Sequence, residues 1–305
     1  MKKLALLFLI VGLLGSCKQS TKQEIASDNN FSFVFMTDIH ITPERNATEG
    51  LLQAIDTINK LAPDFVLTGG DNIMDALEQT YGRADSLYNL YEETVENLEM
   101  PVYNTMGNHE VFGLYEESGI APDHKEYGKK LYENRLAKRY YSFDHKNWHF
   151  IVIDGIGFTE DRHYYGFVDS VQVEWLKQDL EKTGKDKPVV ISTHIPLVSI
   201  GRQIMQGPTE PFAKGSIINN AIEIREILEQ YNVKLVLQGH LHFLEDINYN
   251  GIHYITGGAI SSGWWKGPRF GMEEGFLKID ISGEEFEWKY IDFEWEVDPE
   301  VAAEE

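Results

Sequence analysis

Five apolar, strand-like runs in this chain each end in side chains that can bind a metal ion. Residues 102–106 form the clearest run, which stops at Gly107 and is followed directly by Asn108, His109 and Glu110. An amide, an imidazole and a carboxylate at the end of a buried strand are costly unless they have partners. The other four runs are followed by such side chains: Asp38 and His40, Asp71, His194, and His240 and His242. The strand ends therefore predict one shared polar site.

Charge and cysteine content restrict the classes of partner. The formal net charge of −22, without a basic cluster, argues against a nucleic-acid polymer as partner, because a phosphate backbone requires clustered Lys and Arg. A single cysteine excludes an internal disulfide framework. The 305 residues are 42% hydrophobic, which is enough to fill a core. No sequence feature indicates a protein partner, so a small substrate is the expected ligand.

The chain begins with a segment that has the proportions of a signal peptide. Two lysines precede the apolar residues 4–14, and a Leu-Gly-Ser-Cys sequence ends at Cys17. This ending resembles the lipobox of bacterial lipoproteins, which implies that residues 1–16 are removed and that Cys17 is lipidated. We therefore expect an exported lipoprotein, periplasmic or on the cell surface, that contacts the membrane only through its lipid anchor. The alternative is an ordinary signal peptide with an incidental cysteine.

The rest of the chain alternates strands and helices before it continues in strand hairpins. Helical spacing of apolar residues predicts helices at residues 49–61, 83–98, 168–180 and 219–230, the last with Ile222, Ile227 and Leu228 facing inward. Residues 17–30 are polar and predict a flexible tether, and residues 294–305 predict an acidic tail. Residues 111–139 are long and weakly periodic, which favours a functional lid. We read residues 31–293 as one α/β domain.

The donor atoms of the strand ends favour particular metals. Asp38, His40, Asp71, Asn108, His194, His240 and His242 offer oxygen and nitrogen ligands but no thiolate. Such a set suits Mn, Fe or Zn, divalent or trivalent. Seven ligands exceed what one tetrahedral ion needs, but they fit two ions that share a carboxylate. Two ions about 3.5–4 Å apart are a recurrent device for displacement at phosphorus, where they hold a hydroxide and bind the phosphoryl oxygens.

These residues, in this order, resemble the five motifs of the calcineurin-like metallophosphoesterases. The motifs here are Asp38-x-His40, Gly70-Asp71, Gly107-Asn108-His109-Glu110, His194 and Gly239-His240-x-His242. The resemblance covers residues 31–258. It implies a four-layer αββα sandwich of two mixed sheets flanked by helices, with a dinuclear metal site at the C-terminal edge of the strands.

The resemblance also implies a role for each residue. Asp38, His40 and His242 would bind the first ion; Asn108, His194 and His240 would bind the second; Asp71 would bridge them. His109 would be the general acid beside the leaving group. An imidazole can donate a proton to a departing alkoxide near neutral pH, so this role is chemically reasonable.

Two departures from the family pattern concern the position three residues after Asp71. Many members carry there an aspartate that orients the general acid, whereas this chain has Met74, with Asp75 one residue later. Purple acid phosphatases carry an iron-binding tyrosine at that position, which Met74 cannot replace. The sequence therefore resembles the branch of simple phosphodiesterases and phosphomonoesterases.

The substrate itself stays open at this point. Residues 111–139, 199–216 and 257–269 are expected to form the rim of the site. Trp264 and Trp265 either stack on a base or a sugar or cap the core. Arg202 and Arg269 either bind a second phosphate or are solvated. The sequence predicts hydrolysis of phosphate mono- or diesters of a nucleotide, sugar or lipid head group. The alternatives are a pyrophosphohydrolase on the same site and a membrane-tethered binding protein with structural metals only.

Overall fold

A computed structural model describes residues 29–303 and contains thirteen strands and seven α-helices in that range. The strands are β1 (Phe31–Met36), β2 (Phe65–Thr68), β3 (Val102–Tyr103), β4 (Tyr141–His145), β5 (Trp148–Val152), β6 (Ile156–Phe158), β7 (Tyr164–Gly166), β8 (Val189–Ser192), β9 (Val233–Gln238), β10 (Leu244–Tyr249), β11 (Ile252–Gly257), β12 (Gly275–Ser282) and β13 (Glu285–Asp292). The helices are α1 (Ala47–Leu61), α2 (Tyr81–Val95), α3 (Lys130–Arg135), α4 (Ser170–Thr183), α5 (Gly201–Gln206), α6 (Ala221–Leu228) and α7 (Pro299–Ala302). A short 3₁₀ helix spans Glu116–Ser118.

The strands form two large mixed sheets that are flanked by helices, and this confirms the predicted αββα architecture. One sheet has the strand order β13-β12-β1-β2-β3 and the other β10-β11-β9-β8-β5-β4. A separate pair, β6 and β7, forms a small antiparallel ribbon. Strands β1, β2 and β3 are parallel in the first sheet, as are β5, β8, β9 and β11 in the second.

Strand β1 shows why the strand-like runs of the sequence contain mostly apolar residues. Its side chains alternate between faces, as they do in any strand. Phe33 and Phe35 join an aromatic core that also contains Phe65 and Phe150, whereas Val34 and Met36 join the larger core that contains the helix residues. The rings of Phe33 and Phe65 stack with centroids 5.1 Å apart. Both faces of the strand are therefore buried, which removes the polar alternation of a half-exposed strand.

The predicted helices agree with the observed ones to within a few residues. In one of them, α6, the sequence pattern predicted the wrong face for one residue. In α6, Ile227 and Leu228 are buried as predicted, but Ile222 is 66% exposed. Ile224 takes the inward position instead. The buried residues follow the spacing i, i+3, i+4, which defines one helical face, and Ile222 lies off that face.

The segment at residues 111–139, predicted to be a lid, is held against the domain by partly buried cations. The Arg162 guanidinium donates hydrogen bonds to four backbone carbonyls of this segment, those of Gly113, Leu114, Tyr115 and Ile120. Lys129 pairs with the buried carboxylate of Asp154 at 2.5 Å. Val111, Phe112 and Leu114 are part of the core. The segment thus packs against the domain and forms a wall of it.

The two ends of the chain are described only in part. Cys17 and the predicted signal peptide lie outside the described residues, as does most of the predicted tether. Within residues 29–303, no helix combines the length and the apolar character that crossing a membrane requires. In the predicted tail, the ring of Trp295 lies 6.1 Å from that of Trp265, at the edge of the core.

Candidate active site

The predicted ligands come from the C-terminal ends of strands in both large sheets. Asp38 follows β1 and Asp71 follows β2 in the first sheet, whereas His194 follows β8 and His240 follows β9 in the second. Because the C-terminal ends of parallel strands meet at one sheet edge, these loops converge. The site therefore lies where corresponding edges of the two packed sheets meet.

The backbone at this edge is locally strained. Five of the seven predicted ligands have positive φ angles: Asp38 at 55°, His40 at 47°, Asp71 at 53°, His240 at 72° and His242 at 49°. L-residues rarely adopt this left-handed conformation, and surrounding contacts must hold them in it. Among these contacts, the amide of Asp38 donates to the Gly70 carbonyl at 3.0 Å and that of His40 to the Asp71 carbonyl at 2.9 Å. The first two motifs thus fix each other.

Asp38, His40 and His242 form the first ligand group. All three are buried, and their donor atoms lie within 4.8 Å of one another. The Nε2 atoms of His40 and His242 are 3.1 Å apart, and His242 Nε2 lies 3.3 Å from Asp38 Oδ1. Thr37 Oγ1 donates to the other oxygen of Asp38 at 2.7 Å. The structure thus brings together the three residues that were predicted to bind one ion.

Asp71, His194 and His240 form the second group, with Asn108 beside them. His194 Nε2 lies 3.0 Å from Asp71 Oδ2, 3.2 Å from the side-chain oxygen of Asn108 and 3.2 Å from His240 Nδ1. Gly107 allows this close approach, because a Cβ there would lie 2.2 Å from the Asp71 backbone nitrogen and from its Oδ1. A side chain at position 107 would therefore push Asn108 away from Asp71.

Asp71 lies between the two groups. Its Oδ2 atom is 3.0 Å from His194 Nε2 in the second group and 3.7 Å from His40 Nε2 in the first. Its Oδ1 accepts a hydrogen bond from the backbone amide of His109 at 2.9 Å. One carboxylate is thus within reach of two adjacent cation positions.

The donor atoms of this cluster fit metal ions. His194 and His242 each direct Nδ1 to a backbone carbonyl, that of Gly69 at 2.8 Å and that of Ser262. A neutral ring that donates from Nδ1 presents a lone pair at Nε2, where it faces carboxylate oxygens and other imidazole nitrogens. Lone pairs that converge without protons between them repel, and cations between them would remove this repulsion.

The charges in the cluster also favour a bound cation. Burial opposes ionisation of Asp38, but the charge and the hydrogen bond of His242 lower its pKa to about 2. Burial opposes protonation of His194, but Asp71 raises its pKa to about 9. Without a metal ion, a proton at His194 Nε2 therefore takes the place of the cation beside Asp71, and a bound metal ion would displace this proton and leave the neutral ring described above. Burial and the neighbouring charge of His194 lower the pKa of His240 to about 3. The site therefore keeps its carboxylates ionised and attracts positive charge, while His240 stays a neutral ligand.

His109 is oriented by the backbone of Met74. Its Nδ1 is hydrogen-bonded to the Met74 carbonyl oxygen, and Asp75 Oδ1 is farther away, at 3.7 Å. The ring is one-quarter exposed, with Nε2 3.9 Å from Asp71 Oδ2. Met74 thus anchors the ring through its backbone carbonyl, at the position where the resemblance led us to expect an aspartate side chain. His109 also falls within 4.8 Å of His40 and Asp71, in a third group that could hold an ion.

Glu110 joins two of the motif loops, a role that the sequence did not reveal. Its carboxylate is fully buried and accepts hydrogen bonds from four backbone amides: Asp71 at 3.0 Å, Asn72 at 2.7 Å, Ile73 at 3.1 Å and Gly107 at 2.6 Å. Burial and the charge of Asp71 raise its pKa to about 7, against the effect of these amides. Glu110 therefore positions Asp71 and Asn108 relative to each other.

The two tryptophans and the two arginines of the predicted rim have different surroundings. Trp265 is fully buried, and its Nε1 donates to the Ile39 carbonyl at 2.9 Å, so it belongs to the core. Trp264 instead lies against the metal-competent cluster, 4.6 Å from His242 between ring centroids. Arg202 lies on α5, whereas Arg269 stacks over Trp264. Only Trp264 and Arg269 of these four are placed beside the first ligand group.

Tyr164 is a neighbour of the site that no motif indicated. Its ring centroid lies 6.3 Å from that of His240 and 6.5 Å from that of Tyr115. Tyr115 comes from the wall at residues 111–139. The two tyrosines therefore give the His240 side of the cluster an aromatic border.

An αββα sandwich with adjacent His and Asp groups at its strand ends defines a class of metal-dependent hydrolases. The family model for calcineurin-like phosphoesterases matches residues 31–244, and the chain belongs to that family. Members depend on a dinuclear metal site, and the His and Asp groups described above could bind such metals. The chain is accordingly a hydrolase that acts on phosphate esters.

Relatives and solved structures agree with this assignment. The chain is 26% identical over 216 residues to a probable glycerophosphodiester phosphodiesterase of Arcobacter nitrofigilis, covering 70% of each chain. It is 24% identical over 292 residues to purple acid phosphatase 3 of Arabidopsis thaliana, covering 88% of this chain and 76% of the relative. In fold it is similar to a dimetal phosphatase from Danio rerio, with a TM-score of 0.62, 14% identity and coverage of 86% and 96%.

Proposed function

We propose that the protein hydrolyses small phosphate mono- or diesters at a dinuclear metal site. The observation that carries this proposal is the position of Asp71, within reach of both ligand groups and next to the His109 loop. Asp38, His40 and His242 would hold one ion, and Asn108, His194 and His240 the other. A single structural ion would not need a carboxylate between two groups.

The chain's own residues would perform the following parts of the reaction. Two ions in these positions would activate water and neutralise charge on the phosphoryl oxygens. Glu110 keeps the Asp71 and Asn108 loops in register through its four amide hydrogen bonds. The Met74 carbonyl holds Nδ1 of His109, which leaves Nε2 as the atom that would give a proton to the leaving oxygen.

A substrate screen tests this proposal. The purified protein, supplemented with Mn, would be assayed against phosphomonoesters, phosphodiesters and pyrophosphate-containing compounds, with products identified. An Asp71→Asn preparation made in parallel controls for contaminating phosphatases. Release of an alcohol from esters supports the proposal, and cleavage confined to phosphoanhydrides would identify a pyrophosphohydrolase instead. Metal binding without turnover of any of these compounds would support a binding protein with structural metals.

We also propose that the protein belongs to the branch without an iron-bound tyrosinate. Met74 stands at the position of that tyrosine and is engaged through its carbonyl. Protein reconstituted with iron should therefore show no visible tyrosinate-to-iron charge-transfer band when its spectrum is compared with that of Mn-loaded protein. A purple iron form would place the chain in the other branch.

Export and lipidation at Cys17 form a separate proposal that is supported by sequence alone. The basic start, the apolar run and the Leu-Gly-Ser-Cys ending support it. In a bacterial host fed radioactive palmitate, the full chain should carry label in the membrane fraction, and Cys17→Ser should not. Label retained in the Cys17→Ser protein would contradict lipidation at this residue.

A further inference from the structure

A basic cleft lies beside the first ligand group. It is open, has a volume of about 590 Å³, and is lined by Trp264, Arg45, Lys266 and Arg269 together with two glycines and a proline of the same loop. Three of these residues are cations, and no acidic residue is among those that line the cleft in the described part of the chain. The whole chain has the opposite balance, with 49 acidic against 27 basic residues. The cleft thus concentrates positive charge on an acidic protein.

Trp264 forms a wall that the basic cleft shares with the metal-competent cluster. Its ring centroid lies 4.6 Å from that of His242 and 6.1 Å from that of His40, and the same side chain lines the cleft. Trp264 has a positive φ of 58°, so its loop is held in an uncommon conformation to place the indole there. The cleft and the cluster are therefore neighbours that share the Trp264 side chain.

Arg269 is the best-positioned cation in the cleft. Its Cζ lies 4.4 Å from the ring centroid of Trp264 and 4.8 Å from that of Phe270, which fixes the guanidinium by cation–π contacts. Its backbone amide donates to Ser262 Oγ at 2.9 Å. Among residues 29–303, no carboxylate lies within ion-pairing distance of the guanidinium.

Such an arginine has unused binding capacity. Its planar guanidinium carries five N–H donors in a geometry that matches carboxylate or phosphate oxygens. Burial lowers the pKa of Arg269, and the charge of Asp38 partly opposes this effect. With an imidazole and a guanidinium already against the Trp264 ring, charge recognition fits this surface better than stacking of a base.

We propose that the basic cleft binds a second anionic group of the substrate, a carboxylate or a further phosphate, through Arg269. The substrate class is then a phosphate ester whose substituent carries that anion a short chain away from the reacting phosphorus. This inference rests on the proposed phosphoesterase function, but the binding it predicts can be measured without turnover.

Three phosphonates of similar length test the proposal by calorimetric titration of the Mn-loaded protein at 150 mM NaCl. Propylphosphonate lacks a second anion, 3-phosphonopropionate carries a carboxylate, and propane-1,3-diphosphonate carries a second phosphonate. A charge-assisted hydrogen bond should make at least one of the two difunctional ligands bind about tenfold more tightly than propylphosphonate. The tighter of the two identifies which anion the cleft prefers.

Arginine variants locate the effect. Arg269→Gln should remove most of the tenfold preference, and Arg269→Lys should retain part of it, because the charge remains while the planar fork is lost. Arg225→Gln is the matched control, because Arg225 lies on α6, stacks over Tyr249 of β10 and does not line the cleft. Thermal melting of each variant checks that the fold is kept. Equal affinity for all three ligands in the wild type, or an unchanged preference in Arg269→Gln, would overturn the proposal.

A parallel assay separates this proposal from the proposed function. The substrates are p-nitrophenyl phosphodiesters whose second alcohol is 2-carboxyethyl, 2-phosphonoethyl, ethyl or choline, so the leaving group is constant. The ester that carries the anion preferred in the titration should have the highest kcat/KM, and Arg269→Gln should reduce the ratio between that kcat/KM and the value for the ethyl ester about tenfold. Turnover of all the esters with equal kcat/KM would refute the anion site but not the phosphoesterase function. A binding preference without turnover of any ester would refute the phosphoesterase function alone.

Discussion

Replacing Asp71 with Asn should lower kcat/KM for phosphate esters by a factor on the order of 10² or more while the fold is retained. Asp71 is the only carboxylate among the described residues that belongs to two metal-competent groups, one with His40 and one with His194. Stabilisation of transition-state charge by metal ions is worth several kcal/mol, and each 1.4 kcal/mol corresponds to about tenfold in rate. An amide in its place keeps the shape but removes the charge that would hold two cations close together.

Metal analysis together with kinetics checks this expectation. The wild-type protein should contain close to two ions per chain and the Asp71→Asn protein fewer. Asp56→Asn, on the exposed face of α1, removes the same charge away from the site and should change neither value. One tightly bound ion in the wild type, or full activity in Asp71→Asn, would contradict the two-metal proposal.

Replacing His109 with Ala should reduce activity in proportion to the need of the leaving group for a proton. General acid catalysis typically contributes about 10²–10⁴-fold. An alkyl ester leaves as a strongly basic alkoxide, so its kcat/KM should fall by a factor of that order. A nitrophenyl ester leaves as a weakly basic phenolate and should lose much less. The structural basis is the His109 ring, whose Nδ1 is fixed on the Met74 carbonyl and whose Nε2 faces the cluster.

Measuring kcat/KM for both ester types, with metal content alongside, separates the possible roles of His109. Both metals should stay bound in His109→Ala, because Asn108 is the proposed ligand. Since His109 also falls in a metal-competent group with His40 and Asp71, loss of an ion would identify it as a ligand instead. Equal losses on both esters would exclude the general-acid role.

Asp75 should contribute less than His109 to the donation of a proton to the leaving group. Its carboxylate is 3.7 Å from His109 Nδ1 and already accepts a hydrogen bond from the amide of Leu77 at 2.9 Å. The main anchor of the ring, the Met74 carbonyl, is unaffected by side-chain replacement. Asp75→Asn should therefore show the leaving-group pattern of His109→Ala in a weaker form, in the same assay.

The different positions of Trp264 and Trp265 show what the sequence could not predict. Both follow Gly263 in a loop, and nothing in their local pattern distinguishes them. In the structure both have positive φ angles, which turn one indole into the core and the other toward His242. Which ring is buried depends on what packs against the loop from elsewhere in the chain, such as Trp295.

Glu110 and Met74 illustrate the same limit within the motifs. The sequence placed Glu110 beside a ligand and Met74 where an aspartate was expected. It could not show that the Glu110 carboxylate accepts hydrogen bonds from four backbone amides of two loops, or that the Met74 carbonyl is hydrogen-bonded to His109. Backbone hydrogen-bonding groups are the same at every residue except proline, so their use leaves no trace in residue identity.

The sequence by itself determined the α/β class, most of the strands, the four longer helices and the set of candidate ligands. It missed the β6–β7 ribbon and the short helices α3, α5 and α7. It could determine the former because these properties are local: apolar runs define buried strands, and the residue after each run lies at a strand end. The tertiary structure decided which ligands share a group, that Asp71 lies between the groups, and that Arg269 meets Trp264 beside His242. These relations join residues far apart in the chain, and they follow from the packing of two sheets whose facing side chains, such as Phe33 and Phe150, fix the relative position of their edges.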